Sequence, residues 1–171
     1  MNNVKVYQRQ GGGRPNDAAI SIDRWWQNVF AGCASTRFHR PSGGIGLNGD
    51  AQQVIRAARA FFAEFDIFHA EPRPAALSDR DANEAYCLAI GSERFALYFP
   101  NGGAVRLAAG GQNRRMSVRW FDPNTAQFRS PVQLTAEGGT LSLESPAEAR
   151  NADAARGAGE THSPIWLAVV E

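Results

Sequence analysis

An α+β fold is predicted for this sequence: a partial α/β layer over residues 1–70, followed by an antiparallel β-sandwich over residues 71–171. Three observations predict it. The apolar period is helical up to about residue 70 and close to two beyond it. The elements before that point run helix, strand, glycine-rich loop, helix, which is the order of a parallel α/β unit. The alternating runs beyond it are short and are punctuated by turn residues roughly every eight to twelve positions, as in a sandwich.

The first helix is read from "ISIDRWWQNVFAGCAS", where Ile22, Trp25, Trp26, Val29, Phe30 and Cys33 share one face at i, i+3, i+4, i+7 spacing. Gly32 stands where a terminator belongs. The stretch "STRFHRPSGGIG" then supplies a short strand and a loop. A second helix follows over "AQQVIRAARAFFAEF", with Val54, Ile55, Ala58, Phe61, Phe62 and Phe65 on one face and Asn48 or Asp50 as its cap. Arg56 and Arg59 fall on the opposite, solvated side. Upstream, "NNVKVY" reads as a short strand or as a loop leading into the first helix.

In the second half "RFALYF" alternates Phe95, Leu97 and Phe99 against Ala96 and Tyr98. Asn101-Gly102 after it is a hairpin signal, which would pair this run with "AVRLA". "MSVRWF" alternates again and "DPNT" turns it, with Pro123 fixing φ at the second turn position. "GTLSLE" and "SPIWLAVVE" bring the expected strands to six or seven. Between the last two, "ESPAEARNADAARGAGETHS" builds no face larger than alanine and is expected to be a mobile insertion or a frayed helix rather than a domain.

Composition removes several classes of function. With 43% hydrophobic and 10% aromatic residues the chain buries a core. Eighteen basic against seventeen acidic residues give no field for nucleic acid or an anionic membrane. "MNNVKVYQRQGGG" has no apolar signal core, and no apolar run reaches the ~20 residues of a membrane helix. Cys33 and Cys87 form no C-x-x-C pair, and three scattered histidines supply no zinc spacing, so no metal is expected. "SGGIG" fits neither nucleotide-binding glycine frame, and no cofactor is expected. "DRDANE" alternates acids as a calcium loop does, but it has Glu84 where glycine is required and Ile90 where glutamate is required. A polar turn explains it better.

The chemistry-bearing cluster is Arg37, Phe38, His39 and Arg40, at the end of the short strand. Arginine forks bind carboxylates and hydroxyls, and an aromatic face packs on sugar C–H surfaces. The same residues also suit a core phenylalanine flanked by ion-paired arginines, and the sequence leaves both readings open. The helical half has several acids (Asp17, Asp23, Asp50, Glu64, Asp66, Glu71), but they read as caps and solvated faces rather than as the facing carboxylate pair of a glycosidase.

"NNVKVY", "RWWQNVFAGCASTRFHRPSGGIGLN", "LSDRDANEAY" and "ALYFPNGGAVRLA" with "SVRWFDPNTAQF" together resemble the C-terminal part of apiosidase-like glycoside hydrolases. Those enzymes carry a (β/α)8 barrel followed by a β-sandwich catalogued as a collagen-binding domain. The resemblance implies that residues 1–70 are the C-terminal remnant of the barrel and 71–171 the accessory sandwich. It implies a plant-polysaccharide-derived glycoside as partner in the full-length enzyme, with Arg37, His39 and Arg40 lining the sugar side of the last barrel strand. A barrel takes about 250 residues, so the N-terminal barrel portion with the catalytic carboxylates would lie upstream, as would any export signal. The chain alone is therefore expected to be inactive, and its aromatic helix faces are expected to lack part of their packing partner. A stand-alone carbohydrate- or protein-binding sandwich is the alternative. Ala126 departs from the family pattern, because glycine is usual at that turn position.

Overall fold

The structure, a computed structural model, describes residues 3–6, 17–33, 35–38, 49–80, 84–111, 113–146 and 165–171. Strand β1 (Asn3–Val6), helix α1 (Asp17–Phe30), strand β2 (Ser35–Phe38) and helix α2 (Gly49–Glu64) come first. β1 and β2 pair in parallel, Lys5 opposite Arg37, so the first half is two successive strand–helix units. α1 ends as its sequence predicts. Gly32 adopts φ 73°, its N–H bonds the Val29 carbonyl and the Cys33 N–H bonds the Asn28 carbonyl, the paired bonds of a Schellman cap. A Cβ at Gly32 would also lie 2.8 Å from Pro72, so glycine is required there twice over.

Among the described residues ten antiparallel strands follow: β3 (Glu71–Pro72), β4 (Leu77–Ser78), β5 (Tyr86–Ile90), β6 (Arg94–Phe99), β7 (Ala104–Ala108), β8 (Arg114–Asp122), β9 (Gln127–Phe128), β10 (Val132–Ala136), β11 (Thr140–Glu144) and β12 (Trp166–Val170). Seven form one sheet in the order β10-β8-β12-β6-β5-β3, with β9 on β8, and three form a second, β11-β7-β4. The protein is thus a mixed α+β fold, mostly antiparallel sheet with two helices. More strands exist than alternation predicts. β3, β4 and β9 are too short to show a period, and "YCLAI" of β5 is apolar on both faces.

The chain stacks in three layers because the central strands bury both faces. Phe95, Leu97 and Phe99 of β6, with Trp166, Ala168 and Val170 of β12, point between the two sheets. Ala96 and Tyr98, with Leu167 and Val169, point the other way, onto Trp25, Trp26, Phe30, Phe61 and Phe65 of the helical layer. Residues that alternation alone would leave facing solvent are covered by α1 and α2.

The Asn101-Gly102 signal does not close a hairpin. Positive φ falls on Gly102 and Gly103, and β6 and β7 belong to different sheets. Both edges of β6 are taken, by β5 and by β12, so the turn hands the chain from one sheet to the other. The "DPNT" turn does join a pair, β8 to β9, with Asp122 opposite Gln127. Asp122 accepts from the Asn124 N–H at 2.8 Å and from the Thr125 hydroxyl at 3.1 Å, which fixes the loop. Ala126 takes φ 57° there, the left-handed position that the sequence marks as uncomfortable for alanine. Ala126→Gly is accordingly expected to stabilise the protein by up to about 1 kcal/mol. A urea titration checks this, since an unchanged or lower midpoint would mean that the methyl's packing outweighs its strain.

Two polar clamps hold α2 on the sheet. The Gln53 amide donates to the Pro123 and Asn124 carbonyls at 3.2 and 2.7 Å, gripping the β8–β9 turn. At the other end no basic residue occupies the last turn of α2. Arg94 of β6 serves instead: its guanidinium donates to the Glu64 carbonyl and to the Glu171 carboxylate, a cation at the negative end of the helix dipole. Arg119 adds a bond to Glu64 at 2.9 Å and lies over the Phe128 ring.

Candidate functional site

Parallel strand–helix units present ligands at the carboxyl ends of their strands. In this chain those ends are Val6 of β1 and Phe38 of β2. Arg37 is the third residue of β2 and lies opposite Lys5 of β1. His39, Arg40 and the "SGGIG" loop lie outside the described residues, so of the predicted trio only the Arg37 backbone position is defined. Of "DRDANE", residues 81–83 are likewise outside. Asp79 takes φ 52° at its start. Among the described residues no three His, Cys, Asp or Glu side chains converge as metal ligands.

A half-buried carboxylate in the helical layer was not singled out by sequence reasoning. Asp23 of α1 accepts from the Tyr98 hydroxyl of β6 and, at 2.7 Å, from the Gln27 amide one turn along the helix. Tyr86 of β5 stacks obliquely near Tyr98. Burial first, and the Asp23 carboxylate second, hold both tyrosine hydroxyls above the ordinary phenol range. The arrangement ties α1 to the centre of the large sheet and keeps both phenols neutral. The Cys87 thiol on the same strand is pushed up to about 12, chiefly by burial, which removes it as a nucleophile at neutral pH.

The second feature lies on the far side of the sandwich. β7 and β11 pair with Arg106 opposite Ser142 and Ala104 opposite Glu144, all four facing outward. With Asp79, which follows β4, they line a shallow depression of about 360 Å³. The Arg106 guanidinium approaches the Asp79 carboxylate at 3.4 Å, and both side chains are more than half exposed. Val105 and Leu143 complete its lining, and among the described residues no aromatic ring lines it. Alternation in "AVRLA" does place Arg106 outward, but strand β4 and Ser142 meet it from distant parts of the chain.

No family model matches the sequence, and no match is found among curated proteins. Solved structures are similar in fold. One is a glycoside hydrolase family 5 protein from Bacteroides vulgatus, with a TM-score of 0.59 at 12% identity over 89% of this chain and 35% of its own. Another is described as a glycoside hydrolase, with a TM-score of 0.58 at 11% identity over 89% of this chain and 36% of its own. The chain therefore spans about a third of the length of the solved structures it resembles.

Proposed function

We propose that this chain is the C-terminal part of a glycoside hydrolase, contributing the last strand–helix units of a (β/α)8 barrel and an accessory β-sandwich. Within that class the sequence motifs favour an apiosidase-like enzyme whose sandwich is of the type catalogued as collagen-binding. The observation that carries the proposal is the likeness of nearly the whole chain to about a third of a glycoside hydrolase. The pair β1–β2, the one parallel pair among the described residues, supports it, because parallel sheets are rarely stable as two strands and are normally buried on both faces. On this reading residues 1–70 belong to the barrel, and Arg37, His39 and Arg40 form one wall of a sugar site that upstream strands complete. The catalytic carboxylates lie in the upstream portion, and the chain by itself turns nothing over.

One observation favours the second reading, a stand-alone binding module. Trp26, Phe30, Phe61 and Phe65 are fully buried within the chain, against the sheet. Among the described residues the exposed large apolar side chains are Phe68 and Val132, at 91% and 48%. The helical layer thus has a packing partner in its own sandwich.

Reading the DNA upstream of Met1 discriminates between the two. An open frame coding for further strand–helix repeats is expected. A stop codon immediately ahead would replace the hydrolase reading with the module. Hydrolysis of a pectin-derived or aryl glycoside by the purified chain, abolished by changing one of its own carboxylates, would overturn the claim that the catalytic pair lies elsewhere.

A further inference from the structure

We infer that the depression on the outer face of the β11-β7-β4 sheet is a binding site for a neutral, polyhydroxylated ligand, a short oligosaccharide segment. The seven-stranded sheet has its outer face covered by α1 and α2, whereas among the described residues nothing covers the outer face of the smaller sheet. Among the described residues this face meets solvent, with the charged Arg106 in its middle.

The charges select the ligand class. Arg106 offers only donors, Asp79 and Glu144 offer only acceptors, and the Ser142 hydroxyl offers both. An anion that engaged Arg106 would meet two carboxylates, and a cation that engaged those would meet the guanidinium. Vicinal hydroxyls donate and accept at once, so a sugar satisfies all of these groups without importing charge. The Arg106 contact with Asp79 is long, at 3.4 Å, and both side chains are more than half exposed, so a sugar hydroxyl can compete for the guanidinium. A volume of about 360 Å³ is at the small end of ligand sites and suits one or two pyranose rings. Without an aromatic platform the affinity is expected in the millimolar range, a Kd of about 1 mM. This inference does not depend on the glycosidase reading, and its test involves no turnover.

The test is an amide NMR titration of the full chain with cellohexaose, xylohexaose and an arabino-oligosaccharide, each at about 10 mM, ten times the expected Kd. Shifts concentrated at Asp79, Ala104 to Arg106 and Ser142 to Glu144 with at least one of them are expected. Trigalacturonate, the anionic control, should bind more weakly. Arg106→Ala should weaken binding about tenfold or more, the worth of charge-assisted hydrogen bonds. Glu144→Gln, an isosteric change at an exposed strand end, provides a second variant should the first perturb folding, and it should weaken binding as well. Silence at these amides with all three neutral sugars overturns the inference. So does equal or tighter binding of trigalacturonate, or affinity unchanged in the folded variants.

Discussion

Phe61→Ala is expected to destabilise the entire chain by about 3–5 kcal/mol, the range for removing a fully buried aromatic side chain. Phe61 has no exposed surface, and its ring lies within 6.3 Å of those of Trp26, Phe30, Phe62, Phe65, Phe121 and Phe128. The first four of these belong to the helical layer and the last two to β8 and β9. A cavity at Phe61 therefore loosens both sides of the interface, and neither layer can close it by shifting alone. Helical circular dichroism and tryptophan fluorescence should lose their urea midpoints together, in both the parent and the variant. A variant whose helical signal melts early while the strands keep the parent midpoint would show that the two layers fold as separate units.

Tyr98→Phe carries the second-largest expected effect, a loss of about 1–3 kcal/mol. The substitution keeps the ring and its packing on Trp26, but it leaves the half-buried Asp23 carboxylate with Gln27 alone. Most of the cost comes from that abandoned acceptor, so Tyr98→Phe combined with Asp23→Leu should recover much of the lost stability. Equal loss in the single and double variants would refute this account. The same network predicts an alkaline limit. The folded-state values of Tyr86, Tyr98 and Cys87 are all raised, so each group favours the folded state while it is neutral. Their contribution is fully present well below pH 9, the ordinary value of the Cys87 thiol, and is lost as pH climbs through that value and beyond. Stability that stays flat between pH 9 and 12 would contradict the burial of these groups.

The helices were legible because their apolar faces repeat cleanly, and Gly32 marks the end of α1 where the Schellman cap forms. The strands of the large sheet were legible only in part. β5 lies beneath helices on one face and beneath the smaller sheet on the other, so polarity leaves no alternation to read. Asn101-Gly102 misled because turn chemistry records that the chain reverses, not which strand it then joins. Asp23 passed as a solvated helix acid because its main partner is 75 residues away in the chain. Arg106 carries no signal of its own in the sequence for the same kind of reason: Asp79 and Ser142 converge on it only through sheet pairing.

The double burial of β6 has a consequence for how its register is specified. In a strand with one wet face, a one-residue slip is penalised by polarity, since apolar groups are thrown into water. In β6 the slip would expose nothing and would exchange one dry environment for another. Side-chain volume must therefore carry the information that polarity usually carries. Phe95, Leu97 and Phe99 fill the space between the sheets, while Ala96 leaves room for the aromatic helices and Tyr98 reaches the Asp23 carboxylate that receives its hydroxyl. A slipped strand would crowd three large side chains against tryptophan and phenylalanine on one side and leave voids on the other, at the density where even a methylene is felt. Enlarging Ala96 attacks that code directly, by making the two faces of the strand alike in size.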